Sequence, residues 1–302
     1  MSARSPRILV TGAAGQLGFE LARALAQLGE VIATDRRQLD LADPDAIIAA
    51  MRTYAPGIVV NAAAYTAVDR AEQEPEIAHA VNAVAPGILA EEAKRCDALL
   101  IHYSTDYVFD GTKASPYAED DATGPRNVYG RTKLDGERAV TQSGATACVL
   151  RTSWVYGRRG HNFLLTMERL ARERDELRVV ADQHGTPNWS RTLARATAAM
   201  LAAGIPHARE HAALYHLTCT GATTWFGFAC QIVNGLQQPL ARDAKKLPHV
   251  VPINTAEYPT PAARPANSVL DGSKFARTFG VALPDWQHAL SECLSGSGDS
   301  SA

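Results

Sequence analysis

Short, wholly apolar runs alternate with longer stretches of helical periodicity throughout the first half of this 302-residue chain. The apolar runs occupy residues 8–10, 31–33, 58–60, 98–103 and 147–150. Between them, apolar side chains recur at helical spacing over residues 19–28, 44–54, 75–95 and 127–142. Strands that are apolar on both faces belong to parallel sheets covered by helices on both sides. The pattern therefore predicts an α/β fold built on a doubly wound parallel sheet.

The second half of the chain is less regular and predicts a smaller α/β region. Helical periodicity marks residues 162–174, 190–203 and 223–235, and short apolar runs mark residues 178–181 and 214–217. Residues 248–265 contain five prolines, which restricts them to loop and short edge strands. We therefore predict a cofactor-binding domain over residues 1–155, into which later segments can cross back, and a mainly substrate-binding region over 156–294. The polar segment 295–302 is expected to be a disordered tail.

Charge and composition exclude several classes of protein. The chain has 30 Lys and Arg against 32 Asp and Glu, so its net charge of −2 provides no overall field for nucleic acid or an anionic membrane. It contains no run long enough for a membrane-spanning helix, and its N-terminal residues lack the apolar core of a signal peptide. We therefore expect a cytoplasmic protein with no nucleic-acid or membrane partner. The five cysteines form no C-x-x-C pair, which argues against a disulfide framework or a zinc site.

A glycine-rich segment, residues 11–18 (TGAAGQLG), follows the first predicted strand and precedes the first predicted helix. Gly12 allows a tight turn, and Gly15 allows a pyrophosphate to approach the backbone closely. Gly18 allows the helix to pack against the strand. Glycines also simply end strands, but the position of these three between a strand and a helix favours a dinucleotide site.

Asp35 ends the second predicted strand, where a carboxylate can accept a hydrogen bond from the ribose 2′-hydroxyl of NADH. Arg36 and Arg37 follow directly, and a guanidinium there could instead hold the 2′-phosphate of NADPH. The residues therefore leave both NADH and NADPH open as the cofactor.

Tyr129 and Lys133 lie four residues apart near the start of the fourth predicted helix, so they share one helix face. A tyrosine that acts near pH 7 needs its pKa lowered by about 3 units, or about 4 kcal/mol. An ammonium about 4 Å away supplies about that amount at an effective dielectric constant of about 20. The pair could therefore act as a general acid/base, although Tyr-x-x-x-Lys alone is also typical of solvated helix faces.

Ser104, Thr105 and Asp106 follow the fourth apolar run, at the carboxyl end of a predicted strand. In open α/β sheets the ligand crevice lies at this end of the strands. A hydroxyl there can donate a hydrogen bond to a substrate carbonyl oxygen as negative charge develops on it. The alternative is that Ser104 or Thr105 only caps a local turn.

The order of these three motifs resembles the extended short-chain dehydrogenase/reductase family, whose T-G-x-x-G-x-x-G turn matches residues 11–18. The resemblance implies a Rossmann-type NAD(P)-binding domain and a catalytic set of Thr105, Tyr129 and Lys133. Residues 40–41 and 61–64 also match the loops of that family on the adenine and nicotinamide sides. By the same matching, the expected cofactor contacts are Gly12, Gly15, Gln16, Leu17, Asp35, Asp40, Leu41, Ala63, Ala64, Tyr65, Thr66, Tyr103, Tyr129 and Lys133.

Five longer blocks resemble those members of the family that reduce dTDP-linked 4-keto-sugars. They are residues 61–69, 102–109, 151–156, 182–187 and 258–265. The resemblance implies reduction of the C4 ketone of dTDP-4-dehydro-L-rhamnose by NADH or NADPH, the last step of dTDP-L-rhamnose synthesis. It also implies that Tyr129 protonates the developing alkoxide, while Lys133 lowers the tyrosine pKa and holds the nicotinamide ribose. The implied contacts of the dTDP-sugar are Thr105, Asp106, Tyr129 and Trp154.

Some members of the family are thought to bind Mg²⁺ through carboxylates at a dimer contact. Glu20 could serve as one ligand, but Arg191 stands where the partner carboxylate is expected, and a cation there repels Mg²⁺. We therefore predict no metal-ligating residues, and a homodimer stays an open expectation.

Two other functions fit the same motifs. One is a nucleotide-sugar epimerase or dehydratase that retains NAD, and the other is a non-catalytic regulatory relative. A dehydratase usually has an acid pair beside its catalytic threonine, whereas here Asp106 is followed by Tyr107. Intact Thr105, Tyr129 and Lys133 favour a catalyst over a regulatory subunit.

Overall fold

The computed structural model describes residues 5–236 and 246–296. Its strands are β1 (Arg7–Thr11), β2 (Glu30–Thr34), β3 (Ile58–Asn61), β4 (Leu99–Thr105), β5 (Ala147–Thr152), β6 (Val155–Tyr156), β7 (Glu176–Val180), β8 (His184–Gly185), β9 (Asn188–Trp189), β10 (Leu214–His216), β11 (Thr223–Thr224) and β12 (His249–Ile253). Its α-helices are α1 (Gln16–Leu25), α2 (Pro44–Tyr54), α3 (Val68–Ala71), α4 (Pro75–His79), α5 (Ala85–Arg95), α6 (Val128–Gln142), α7 (Phe163–Glu173), α8 (Ser190–Ala202), α9 (Ile205–Glu210), α10 (Trp225–Gly235), α11 (Ser273–Phe279) and α12 (Trp286–Ser295).

A six-stranded parallel sheet with the order β10-β5-β4-β3-β1-β2 forms the centre of the first half. Ile8 and Val10 pack on one face, under α1, α8 and α11, whereas Leu9 packs on the other face, under α2 and α5. This arrangement confirms the predicted doubly wound α/β fold. The strand order reverses at β1, and a reversal of this kind opens a crevice at the carboxyl ends of the strands.

The carboxyl ends of the central strands bring the predicted functional segments to one edge of the sheet. The register pairs Thr11 with Asn61, and Thr105 with Thr152. Helix α6 begins beside this edge because the Asn127 side chain caps it, accepting the Gly130 N–H at 2.8 Å. The cap places the first turns of α6 against the end of β4.

A second apolar cluster lies among α7, α10 and α12 and contains Tyr156, Phe228 and Trp286. Strand β12 pairs in parallel with β7, so the proline-rich segment contributes a short strand, as its composition allowed. A bidentate ion pair joins this segment to the first half: Arg264 donates to the two carboxylate oxygens of Asp69 at 2.6 and 2.7 Å.

Two later segments return to the first sheet. Helix α8 packs on the face that α1 covers, and β10 lies beside β5 at the sheet edge. The boundary at residue 155 stays a prediction of domain organisation. Within the described ranges, no helix combines the length and apolar character needed to cross a bilayer.

The structure corrects the prediction of one continuous helix over residues 75–95. Helices α4 and α5 are separated by a π-helical turn, Ala80–Val84. Asn82 in this turn accepts the Tyr65 N–H at 2.8 Å, and its amide donates to the Tyr65 carbonyl and the Thr132 hydroxyl. These bonds to distant segments stabilise the wider turn, and helical periodicity does not reveal them. The predicted tail also starts too early, because Ser295 belongs to α12, and residues 297–302 lie outside the described residues.

Candidate active site

The glycine turn between β1 and α1 excludes larger side chains at two positions. Gly12 has a φ of +70°, and a Cβ there would lie 2.8 Å from the Ala63 backbone. A Cβ on Gly18 would lie 2.2 Å from the Gly12 carbonyl oxygen. Gly15 caps α1 without a side-chain hydrogen bond, so the first N–H groups of the helix stay available to an anion. This arrangement fits the pyrophosphate of a dinucleotide.

A groove of about 540 Å³ runs from the glycine turn to α6. The predicted cofactor residues all lie on its wall: Gly12, Gly15, Gln16, Leu17, Asp35, Asp40, Leu41, Ala63, Ala64, Tyr65, Thr66, Tyr103, Tyr129 and Lys133. The amide oxygen of Gln16 is buried and has no hydrogen-bond partner among the described residues, as expected of an acceptor that a ligand satisfies. The residues present therefore fit a nicotinamide dinucleotide, while the contact of each with the cofactor stays a prediction.

Sequence reasoning missed several residues of the groove wall. Ile77 and Val81 line it from α4 and the π-helical turn, and Gly160 and His161 line it from the second half. Ile77 is 44% exposed, so its side chain is accessible to a ligand in the groove. The helical spacing of Ile77 predicted only that it lies on an apolar helix face, and the sequence did not show that this face is exposed to the groove.

Both candidate determinants of cofactor choice reach the groove. The Asp35 carboxylate accepts the N–H groups of Arg37 and Gln38 at 2.8 and 3.2 Å, so it also shapes its own turn. The Arg36 side chain is 80% exposed and lies 3.5 Å from the carboxylate of Asp40. Asp35 and Arg36 share the groove wall, so ligands for a 2′-hydroxyl and for a 2′-phosphate are both present.

Thr105, Tyr129 and Lys133 converge at the carboxyl end of β4. The Thr105 hydroxyl donates to Asp106 Oδ1 at 2.9 Å and accepts the Tyr107 N–H at 3.2 Å. Thr105 therefore does cap a local turn, and its hydroxyl is also close enough to the Tyr129 phenol to lower the pKa of that phenol. The Lys133 side chain is buried, and its Nζ donates to the Tyr103 carbonyl at 2.6 Å.

Burial sets the protonation of the tyrosine and the lysine. It raises the pKa of Tyr129 to about 12, and the nearby Thr105 hydroxyl offsets part of that rise. Burial lowers the pKa of Lys133 to about 8, although the Glu137 carboxylate raises this pKa. The predicted lowering of the tyrosine pKa by Lys133 is not present in this geometry, because the ammonium binds the Tyr103 carbonyl and burial penalises the phenolate. Tyr129 therefore holds its proton at neutral pH.

Asp106 lies beside this set and is buried. Burial raises the pKa of its carboxyl to about 7, although the hydroxyls of Ser268 and Thr105 favour the charged form. A carboxyl group with a near-neutral pKa can accept or donate a hydrogen bond, which suits contact with a sugar hydroxyl.

Trp154 lies between β5 and β6 with a φ of +43°, a conformation that residues other than glycine rarely adopt. Its indole stacks on that of Trp225, with ring centroids 3.6 Å apart and 8° between the planes. A Cβ on Gly185 would lie 2.4 Å from the Trp154 ring, so the packing requires glycine there. Gly185 lies in the motif 182–187, which gave it no role, and no motif pointed to Trp225; distant segments of the chain bring both residues to Trp154.

Glu20 forms an ion pair with Arg191, in which the guanidinium donates to both carboxylate oxygens at 3.0 and 3.2 Å. Both side chains are nearly buried, with 13% and 11% exposure. The Glu20 carboxylate, which could have served as a ligand of Mg²⁺, is therefore paired with a fixed cation, and the residues present at this position do not fit a magnesium site.

Together, the parallel sheet, the glycine turn and the Tyr-x-x-x-Lys pair define the chain as an oxidoreductase of the short-chain dehydrogenase/reductase type. The model of the RmlD substrate binding domain family matches residues 6–297, and the chain belongs to this family. Membership confirms the family that the motifs indicated.

Relatives of known name support the same assignment. The dTDP-4-dehydrorhamnose reductase of Burkholderia thailandensis is 49% identical over 294 residues, which cover 95% of this chain and 98% of that protein. The crystal structure of a dTDP-4-dehydrorhamnose reductase from Clostridium acetobutylicum has a TM-score of 0.87 at 37% identity, covering 96% of this chain and 99% of that one. The enzyme of Bacillus anthracis, solved in complex with NADP, has a TM-score of 0.85 at 32% identity, with coverage of 96% and 99%.

Proposed function

We propose that the chain reduces the C4 ketone of dTDP-4-dehydro-L-rhamnose to dTDP-L-rhamnose with NADH or NADPH. The observation that carries the proposal is that Tyr129 and Lys133 line one end of a groove suited to a dinucleotide, with the Thr105 hydroxyl beside the Tyr129 phenol. The 49% identity to a dTDP-4-dehydrorhamnose reductase supports the choice of substrate.

A reduced nicotinamide in the groove would supply the hydride to C4. Tyr129 supplies the proton, because a phenol with a pKa of about 12 remains protonated at neutral pH. Lys133, with a pKa of about 8, is mostly charged at pH 7, and we assign its ammonium to the nicotinamide ribose, because in this geometry it bonds the Tyr103 carbonyl and not the phenol.

Thr105 positions the ketone oxygen. Its hydroxyl donates to Asp106 in the structure, so it turns from the carboxylate to the ketone when the substrate arrives. A hydroxyl rotates easily, and its new hydrogen bond strengthens as charge develops on the oxygen. The stacked indoles of Trp154 and Trp225 offer a flat apolar face for the sugar nucleotide.

The decisive experiment is turnover of the keto-sugar by Tyr129→Phe. Loss of the proton donor should lower kcat by about 10² to 10⁴-fold, the usual contribution of general acid catalysis. Tyr54→Phe is the matched control, since Tyr54 lies at the end of α2 and is not a groove residue. Oxidation of NADPH measures the rate, and NMR of the product gives the configuration at C4. Near-normal reduction by Tyr129→Phe would overturn the proposal.

The rival enzymes on the same scaffold predict a different behaviour of the cofactor. An epimerase or dehydratase retains NAD through purification, whereas a reductase exchanges its cofactor with every turnover. Purified protein free of bound nucleotide that oxidises NADPH only with the keto-sugar supports the reductase. Homodimer formation and a cytoplasmic location are further parts of the proposal, to be tested by light scattering and by cell fractionation.

A further inference from the structure

A buried ion pair lies directly behind the catalytic lysine. Glu137 follows Lys133 by one helical turn on α6, and Arg151 lies on β5. The Arg151 guanidinium donates to the two carboxylate oxygens of Glu137 at 2.8 and 2.7 Å, and both side chains are 4% exposed. The Ser104 hydroxyl donates to the same carboxylate at 2.5 Å.

Stability alone does not account for this pair. Removing two charges from water costs free energy that their attraction barely repays, and apolar replacements of buried ion pairs are often neutral or stabilising. Here Arg151 Nη1 is buried without a hydrogen-bond partner among the described residues, so the pair is not fully satisfied. Retention of the charges therefore points to a functional role.

The ammonium of Lys133 needs a counter-charge that its own hydrogen bond does not supply. Its partner, the Tyr103 carbonyl, is neutral. Burial disfavours the charged form of Lys133, whereas the Glu137 carboxylate favours it. Burial also lowers the pKa of the neighbouring His102 well below its usual value, so this ring is neutral at physiological pH. The groups that face or flank Lys133 are Tyr129 and Glu137 on α6, His102 and Tyr103 on β4, and Arg151 on β5 through Glu137.

We propose that Glu137 is a positioning residue whose carboxylate, held by Arg151 and Ser104, keeps Lys133 charged during the reduction proposed above. Glu137→Gln removes the negative charge and leaves the positive charge of Arg151 nearby. Arg151→Met removes the positive charge and leaves the carboxylate. The two variants therefore change the potential at Lys133 in opposite directions.

The test is the pH profile of kcat/KM for the keto-sugar, whose alkaline limb reports the loss of the lysine charge. Glu137→Gln should move this limb to lower pH by about 1 unit, and Arg151→Met should move it to higher pH. The double variant Glu137→Gln/Arg151→Met, which leaves no net charge, should lie between them. Glu168→Gln removes the carboxylate of the more exposed pair with Arg158 and should leave the limb in place.

Titration of the Lys133 side chain by ¹³C NMR, assigned with Lys133→Arg, provides a readout that needs no turnover. If the pKa of Lys133 shifts in opposite directions in Glu137→Gln and Arg151→Met, the role of Glu137 is supported even if the keto-sugar is not reduced. Failure of the proposed reaction can therefore be distinguished from failure of this proposal. Shifts in the same direction, or none, overturn the proposal. If Glu137→Gln does not fold, the shift in Arg151→Met and in the double variant decides.

A second, independent observation concerns the end of α9, far along the chain from the catalytic residues. His207, Glu210 and His211 each place one potential ligand atom within 4.8 Å of the others. The His207 ring bonds the Thr278 carbonyl through Nε2 at 3.2 Å, and the His211 ring bonds the His207 carbonyl through Nδ1 at 3.1 Å. A carbonyl only accepts, so each ring donates that N–H, and in a neutral imidazole the other nitrogen carries the lone pair that a metal needs.

We infer that His207 Nδ1, His211 Nε2 and a Glu210 oxygen bind a divalent transition metal such as Zn²⁺. Histidines that ligate metals usually donate their second ring N–H to a carbonyl or carboxylate, as both rings do here. Two imidazoles and one carboxylate suit Zn²⁺ rather than Mg²⁺, with water in the remaining position. None of the three side chains is fully buried, so they have room to close around an ion.

Calorimetric titration of the full, untagged chain with Zn²⁺ tests this site. His211→Gln should weaken Zn²⁺ binding by more than about tenfold. Loss of a residue that only hydrogen-bonds a metal ligand already lowers metal affinity by about 10- to 100-fold, and His211 would be a ligand itself. His288→Gln is the matched control, because His288 lies 3.9 Å from the Glu292 carboxylate on an exposed helix face and belongs to no such three-residue cluster among the described residues. Absence of Zn²⁺ binding, or equal weakening by both variants, overturns the assignment, and excess Mg²⁺ should not compete.

Discussion

Substitution Gly18→Ala tests whether close packing of the glycine turn is what makes the cofactor site. The new Cβ would lie 2.2 Å from the Gly12 carbonyl oxygen and 2.6 Å from its carbon. Because carbon contacts are optimal at about 3.5–4.0 Å, the turn and α1 must separate by about 1 Å or more. Overpacking of this kind lowers the free energy of unfolding by about 1–3 kcal/mol. A displacement of about 1 Å in a positioning element can lower turnover by about 100-fold.

A graded series makes this prediction quantitative. Alanine at Gly15 would place its Cβ 3.1 Å from the Gly12 oxygen, whereas alanine at Gly57 would meet Pro6 at an ordinary 3.8 Å. NADPH affinity, measured by fluorescence titration, and the free energy of unfolding in urea should fall most for Gly18→Ala and less for Gly15→Ala. Gly57→Ala should change neither appreciably. Wild-type NADPH affinity and stability in Gly18→Ala would refute the reasoning.

The remaining predictions concern two charged side chains. Burial raises the pKa of Asp106 from 3.8 to about 7, so the folded chain holds a proton that the unfolded chain releases between these values. The free energy of unfolding should therefore fall as the pH rises from about 4 to about 7. Asp106→Asn should reduce this dependence on pH, measured by urea unfolding across the same range. An unchanged dependence would contradict the raised pKa of Asp106. Arg36→Ala should raise KM for NADPH by about tenfold, the loss of one charge-assisted hydrogen bond, and leave KM for NADH unchanged. Arg138→Ala is the control, because Arg138 pairs with Asp135 on an exposed face of α6 and is not a groove residue, and equal effects on both cofactors would exclude a role for Arg36 in cofactor choice.

Local rules were sufficient to predict most of the elements around the site. Asp43 directly precedes the predicted helix 44–54 and caps α2 by accepting the N–H groups of Asp45 and Ala46, as aspartates before helices commonly do. The apolar runs of the first half became β1 to β5 because a strand covered on both faces needs apolar side chains in both directions. The glycine turn was visible because only glycine adopts a φ of +70° freely, as Gly12 does.

Contacts between distant segments determined what the sequence could not predict. β10 completes the sheet beside β5, and Asn82 opens a π-helical turn through bonds to Tyr65 and Thr132. The partner of Trp154 is Trp225, and that of Glu20 is Arg191, each supplied by a remote helix.

The sequence by itself determined the alternation of strands and helices, the position of the glycine turn and the residue types of the catalytic set. These depend on side-chain periodicity and backbone sterics, which act over a few neighbouring residues. Only the tertiary structure decided the protonation of the site, because burial outweighed the expected effect of Lys133 on Tyr129 and the ammonium bound the Tyr103 carbonyl. Desolvation depends on every segment that packs around a group, so a spacing of four residues can place a tyrosine beside a lysine without setting the pKa of either.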